Sequence, residues 1–126
     1  MLIYPFAIVT APYITTGGSE SLGLFVVLHS EELDKDVHFA KNLVGLKITS
    51  KPLFVDRYYY NLSKTMYPFL DKDSWIQCSK PHTLDMNRAK YIGNLKPGHR
   101  MAIYRLFKSF IHEAENQMLN GINLKN

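Results

Sequence analysis

His82 is the first candidate for proton transfer in this sequence, because histidine gains and loses its proton near neutral pH. It lies in the segment DSWIQCSKPHTLDMNRAKYIGNL (residues 73–95), about one turn before Asp85. Asp85 either orients His82 or caps the turn that follows, and the preference of aspartate for N-caps favours the cap. An exposed loop histidine is the alternative to a functional His82. The segment is therefore either a structural corner or the edge of a site.

Basic side chains that could bind a phosphate lie on both sides of His82. Arg57, in the run LFVDRYYY, can form two parallel hydrogen bonds with a phosphate. As a surface charge beside Asp56 it would instead contribute little. Arg88 and Lys90 are further candidates for a cation, with the same alternative.

Three consecutive tyrosines follow Arg57. In a strand, Tyr58 and Tyr60 share one face and Tyr59 takes the other, so at least one should reach solvent. An exposed tyrosine beside basic residues can stack on an unpaired base of RNA. Packing inside a barrel or at a dimer interface is the alternative, since interfaces are also rich in tyrosine.

Three other side chains near these candidates carry weaker indications. His29 ends an apolar run and is expected to face outward at the end of a strand. Trp75 is expected in the core. Cys78 is the single cysteine, and no neighbouring base that could activate it is identifiable, so it is not expected to act as a nucleophile.

The elements that must position these residues fit one domain of 126 residues, of which 46% are hydrophobic and 13% aromatic. The apolar runs are too short to span a bilayer, and the first residues lack the pattern of a signal peptide. A single cysteine cannot form an intrachain disulfide, which favours a cytoplasmic location. No clustered Cys/His pattern predicts a metal site, and we expect no cofactor.

The charge is unevenly distributed along the chain, whose net charge is +4. Five acids lie between Glu20 and Asp36, whereas residues 80–108 contain seven bases and one acid, Asp85. A basic second half suits a partner that carries phosphates. It also suits an acidic protein or a merely solvated surface, and charge alone does not distinguish these.

The hydrophobic pattern predicts strands first and one helix last. The strands are expected at residues 3–10, 24–30, 42–50, 53–62 and 74–79, with a loop at 15–23, an acidic connection at 31–36, a turn at Lys51-Pro52 and a break at 80–83. Apolar residues at helical spacing predict an amphipathic helix over about 97–118, with Pro97 in its first turn and Gly121 past its end. We therefore expect one domain over 1–126: a small, mainly antiparallel β-barrel or sheet (about 1–95) closed by the C-terminal helix.

The distal segment resembles the MazF/PemK-like toxin family. DSWIQCSKPHTLD followed by IGNL is similar to the family's last strand, its turn and the phrase before its last helix. ITS at residues 48–50 looks like the family's Thr-Ser strand end, and ESLGLFVVL looks like its second strand; order and spacing agree over roughly residues 17–112. The resemblance implies a Src-homology-3-like barrel, usually a homodimer, that cleaves RNA without a metal and is neutralised by an antitoxin peptide.

The departures from this family fall on its charged groups. Phe25-Val26 stands where members usually have Arg-Pro, and Gln77 and Ser79 stand where some have an Arg and an Asp. Thr49 and Ser50 match best.

Cleavage of RNA through its 2′-hydroxyl needs a base, an acid and a cation for the developing phosphorane charge. The sequence predicts a catalytic set of Thr49, Ser50, His82 and Arg57. It predicts RNA-binding residues at Tyr58, Tyr60, Ser79, Lys80, Arg88 and Lys90. Two hypotheses remain. The chain is a metal-independent endoribonuclease toxin that acts on single-stranded RNA, or it is an inactive barrel that binds RNA, an antitoxin-like peptide or another protein.

Overall fold

The structure is a computed structural model that describes residues 2–33 and 41–125. It contains six strands and one α-helix: β1 Ala7–Ile14, β2 Glu20–Ser30, β3 Asn42–Thr49, β4 Tyr59–Leu62, β5 Ser74–Asp85, β6 Lys90–Asn94 and α1 Pro97–Lys125, with 3₁₀ turns at Glu31–Leu33 and Met86–Arg88. Residues 34–36 of the predicted acidic connection lie outside the described residues.

The six strands form one antiparallel sheet in the order β4-β5-β3-β2-β1-β6. The sheet curls until β1 and β5 approach each other, although two strands separate them, and it forms a half-barrel. The expectation of a mainly β chain with one C-terminal helix is confirmed.

Both faces of the sheet carry buried apolar side chains, because successive residues of a strand point to opposite faces. The helix face includes Ile8, Val26, Leu46 and Ile76, which pack with Ile103 of α1. The opposite face, here named the groove face, has its own core of Ile3, Ala7, Val9, Ala11, Phe25, Val27, Leu43 and Leu84. The sheet is thus held on both sides, and the polar end of the groove face remains open.

The helix begins at Pro97, as predicted, and Ile103, Leu106 and Phe107 pack on the sheet. Its predicted end at residue 118 is wrong, since the helix continues to Lys125 and includes Gly121. Glycine weakens a helix by about 1 kcal/mol but does not block its hydrogen bonds, so it is a weaker stop than proline.

The predicted break at residues 80–83 is also wrong, because β5 runs without interruption from Ser74 to Asp85. β4 pairs with β5 only over residues 74–77, so Pro81 has β3 alone as a neighbour, where it pairs with Leu46. Proline is tolerated where one side of a strand is not paired. A bulge between Leu46 and Ile48 accommodates extra residues of β5 and changes the directions of their side chains.

The remaining differences lie at strand ends. β1 starts four residues later than predicted and β2 extends into the predicted loop, because residues 20–23 pair with β1 in a hairpin. Of the strand predicted at 53–62 only Tyr59–Leu62 forms, and Leu53 and Phe54 are exposed in a loop. β6, which pairs with β1 at the edge of the sheet, was not predicted.

Candidate functional site

The site is a groove of about 400 Å³ on the groove face. Strand residues form its floor, namely Lys47, Thr49, Tyr59, Gln77, Lys80 and His82. Residues 14–16, at the end of β1 and in the turn after it, and residues 51–54, in the loop after β3, form its two sides. The groove therefore has a polar, basic floor between two short connections.

Three rings meet at one end of the floor. His82 contacts the Phe25 ring edge to face at a centroid distance of 5.4 Å, and Tyr13 lies 5.7 Å from both rings. Two glycines make room for them: a Cβ on Gly45, the strand partner of His82, would lie 3.0 Å from the Phe25 Cβ. A Cβ on Gly23 would lie 3.0 Å from the Tyr13 ring. The absence of these two side chains leaves room for the Phe25 and Tyr13 rings, which His82 contacts.

Lys47 supplies a cation beside these rings. Its Nζ donates a hydrogen bond of 2.6 Å to the Tyr13 hydroxyl and lies 4.4 Å from the centroid of the Tyr13 ring. In the β2–β3 register Lys47 is the direct partner of Phe25, so their side chains stand on the same face. The ammonium group is therefore held at the Tyr13 ring, close enough to His82 for its charge to lower the pKa of the imidazole.

The surroundings of His82 favour its neutral form. Partial burial lowers the pKa of His82 below its ordinary value of 6.5, and the positive charges of Lys47 and Lys80 lower it further. A neutral imidazole can accept a proton, so at neutral pH His82 is in the state that a general base requires.

Hydroxyl and amide groups complete the floor. The Thr49 hydroxyl accepts a hydrogen bond of 3.2 Å from the Lys51 backbone N–H, which leaves its own hydrogen free to be donated. The Gln77 amide donates to the Tyr59 hydroxyl at 3.0 Å. The floor thus offers hydrogen-bond donors to an anionic ligand.

The balance of charge in the groove is positive. Three lysines line it, Lys47, Lys51 and Lys80, and the described residues of the lining include no carboxylate. A second cavity of about 380 Å³ adjoins the groove and shares Tyr13, Lys47 and Thr49 with it. This neighbouring cavity also contains Ser50, Lys72 and Asp71. A chain-like anion could extend from one cavity into the other.

The structure brings some of the predicted site residues together. Thr49, His82 and Lys80 share the groove, and Ser50 lies in the adjoining cavity. His82 stands on a strand and is half-buried, which corrects the alternative of an exposed loop histidine.

The other predicted residues lie elsewhere. Arg57 is ion-paired with Glu113 of α1, and the same carboxylate accepts a hydrogen bond from the Tyr58 hydroxyl. Tyr60 packs edge to face on His99 of the helix. Ser79 lines a cavity on the helix side, Arg88 is paired with Glu20, and Lys90 is exposed on β6. None of these six lines the groove.

Four further predictions near the segment have clear outcomes. Asp85 caps the Met86–Arg88 turn, where its carboxylate accepts a 2.9 Å hydrogen bond from the Asn87 N–H, and His29 is exposed, both as predicted. Burial raises the pKa of Cys78 to about 12, so its thiol is protonated and inert. Trp75 is only half-buried, which corrects the expectation of a core position: it lies on the groove face but outside the core cluster of that face.

Sequence reasoning missed Tyr13, Lys47 and Tyr59 as components of the groove. Tyr13 and Lys47 lie 34 residues apart and meet only through the pairing of β1, β2 and β3. Strict alternation along NLVGLKIT does place Lys47 on the face of Thr49, so that signal was present for Lys47.

Within residues 2–33 and 41–125, no helix is long and apolar enough to cross a bilayer. In the same part of the chain no group of three or more His, Cys, Asp or Glu side chains could hold a metal ion. The sequence matches no protein-family model and no curated protein, so a proposal of function depends on the sequence and the geometry of this groove.

Proposed function

We propose that the groove binds single-stranded RNA and cleaves it without a metal ion. The observation that carries the proposal is the meeting of a neutral His82, the ammonium of Lys47 and the hydroxyl of Thr49 in one groove lined by lysines. A base and a cation side by side are the groups that attack by a 2′-hydroxyl requires.

In the proposed reaction His82 takes the proton of the 2′-hydroxyl. The 2′-oxygen then forms a bond to the adjacent phosphorus, and the bond from phosphorus to the 5′-oxygen breaks. The products are a 2′,3′-cyclic phosphate and a 5′-hydroxyl. Lys47 and the Thr49 hydroxyl stabilise the phosphorane charge, and the Tyr13 hydroxyl, which accepts a hydrogen bond from Lys47, donates its proton to the leaving 5′-oxygen.

The resemblance to MazF/PemK-like toxins supports this proposal and extends it. Phe25, which stands where members have an arginine, is the register partner of Lys47, so a cation is present one strand away. This relation favours a rebuilt site over a lost one. We include in the proposal the Src-homology-3-like barrel, a homodimer, a cytoplasmic location and an antitoxin peptide as a partner.

A second candidate is a barrel that binds RNA or protein and cuts nothing. The observation that favours it is the complete burial of Phe25. This core residue stands at the position where the family usually has a charged group. Fold resemblance alone does not supply catalytic groups. The difference between the two candidates is therefore chemical and can be measured directly.

The experiment is incubation of the purified protein with mixed-sequence single-stranded RNA in EDTA, beside His82→Ala and Thr49→Ala variants. Cleavage that survives the chelator and falls by about 100-fold or more in either variant supports the proposal. A matched oligonucleotide with 2′-deoxyriboses should remain intact because it lacks the nucleophile. RNA that is bound but uncut would favour the second candidate. Absence of both binding and cleavage would refute both RNA-based functions.

A further inference from the structure

The loop after β3 places an exposed phenylalanine at one side of the groove. Phe54 has 68% of its surface accessible, and it lines the groove together with Lys51 and Pro52. Across the groove, Ile14 is also exposed, with 62% of its surface accessible. The groove therefore has apolar groups on both sides and lysines on its floor.

This loop is tied at both ends. At its start the Lys51 N–H donates to the Thr49 hydroxyl. At its end the Asp56 carboxylate accepts a 2.8 Å hydrogen bond from the Tyr58 N–H, and the Asp56 carbonyl accepts one of 3.2 Å from Tyr59. A short loop with fixed ends needs little additional ordering when a ligand binds.

The hydrogen-bonded end of the loop is also held on the helix. The Tyr58 ring packs edge to face on Phe110 at 5.5 Å, and its hydroxyl donates to Glu113. Arg57 reaches the same carboxylate. Contacts with α1 thus hold residues 57 and 58, at the end of the loop that carries Phe54.

From this arrangement we infer that Phe54 stacks on an unpaired base of the bound strand while the phosphates of that strand lie over Lys47 and Lys80. Apolar sides above a cationic floor match a ligand with flat apolar faces and an anionic backbone. In a duplex each base face is already covered by its neighbours, so the side chain would select unpaired nucleotides. The inference rests on the proposed function, because it names the ligand contact of the same groove.

The test is the affinity of Phe54→Ala for a labelled single-stranded RNA in which 2′-O-methyl groups prevent cleavage. Loss of one base–aromatic stack should weaken binding by about 5- to 100-fold. Phe54→Trp should retain the affinity of the wild-type protein. Val55→Ala is the matched control, since Val55 is the next exposed residue of the same loop and does not line the groove.

A second oligonucleotide, with abasic riboses throughout, identifies the interaction. Wild type and Phe54→Ala should bind it equally, because it offers no base to stack on. The role of Phe54 would be overturned if the two proteins had equal affinity for the 2′-O-methyl RNA. It would also be overturned if Phe54→Ala weakened binding equally for both oligonucleotides. Either result would leave the proposed function standing. If the wild-type protein binds neither oligonucleotide and cleaves no RNA, the proposed function itself fails.

Discussion

Phe25 and His82 contact each other ring to ring, with centroids 5.4 Å apart, although β3 separates their strands in the sheet. The contact is possible because Gly45 of β3 lies between them without a side chain. Burial is the largest cause of the lowered pKa of His82, and the Phe25 ring is one of the groups that cover the imidazole. A residue of the groove-face core thus contacts the side chain that we propose as the general base.

Gly45→Ala should lower the free energy of unfolding by about 1–3 kcal/mol, because overpacking of a dense core forces neighbours to shift. The added Cβ would lie 3.0 Å from the Phe25 Cβ, 3.1 Å from Leu84 Cδ1 and 3.3 Å from the Val26 carbonyl oxygen. Denaturant unfolding measures the change. Gly121→Ala, which adds a Cβ in open space within the helix, should instead stabilise the protein by about 0.5–1 kcal/mol. Equal effects of the two substitutions would contradict the packing at Gly45.

Stability should depend on pH through His82. Its pKa in the folded protein is lower than 6.5, so the unfolded chain binds the proton more readily. The contribution of His82 to stability is fully present above pH 6.5 and is lost as the pH falls from 6.5 through the folded pKa. Unfolding curves at several pH values should show a smaller loss in His82→Gln than in His29→Gln, whose parent side chain is exposed. Identical pH dependence in the two variants would be evidence against a perturbed His82.

Lys47→Gln should raise the pKa of His82, because the Lys47 charge disfavours the imidazolium. NMR titration of the His82 ring protons measures this shift without any assay of activity. If RNA is cleaved, the acid limb of kcat/KM should move to higher pH in the same direction. Lys51→Gln is the matched control, since Lys51 lines the groove but does not contribute to the shift. An unchanged titration in Lys47→Gln would mean that Lys47 does not lower the pKa of His82.

Arg57→Ala should leave RNA cleavage unchanged, in contrast to the expectation from sequence that Arg57 is catalytic. Its guanidinium is paired with Glu113 and does not line the groove. Because the Arg57 side chain is largely and the Glu113 side chain partly solvent-accessible, the pair should contribute less than about 1 kcal/mol to stability. Single-turnover cleavage and denaturant unfolding test the two statements. A large loss of cleavage in a folded Arg57→Ala protein would place this residue back in the site.

Local patterns predicted much of the fold. The apolar period of 3.6 located the helix and its start at Pro97, and the unbroken run LFVVLHS located β2. Asp85 was assigned correctly as a cap because capping depends on the next few residues alone. Each of these features depends on residues that are close together in the sequence, so a local pattern indicates it directly.

Features that depend on pairing between distant strands were not predicted. Pro81 indicated a break in the strand. β5 nevertheless continues there, because at Pro81 it is paired on one side only, with β3. The contacts of Arg57 and Tyr58 with Glu113 of α1, 56 and 55 residues further along the chain, were likewise not indicated by the sequence. Tyr13 lines the groove because of the register between β1 and β2, which no local sequence pattern specifies.

The most direct test of the proposed site is the rate of single-stranded RNA cleavage in EDTA for wild type, His82→Ala and His29→Ala. Both variants remove one imidazole, but only His82 lines the groove, and His29 is exposed at the end of β2. We predict a rate about 100-fold or more below wild type for His82→Ala and an unchanged rate for His29→Ala. Equal rates for all three proteins, or no cleavage by the wild-type protein, would contradict this prediction.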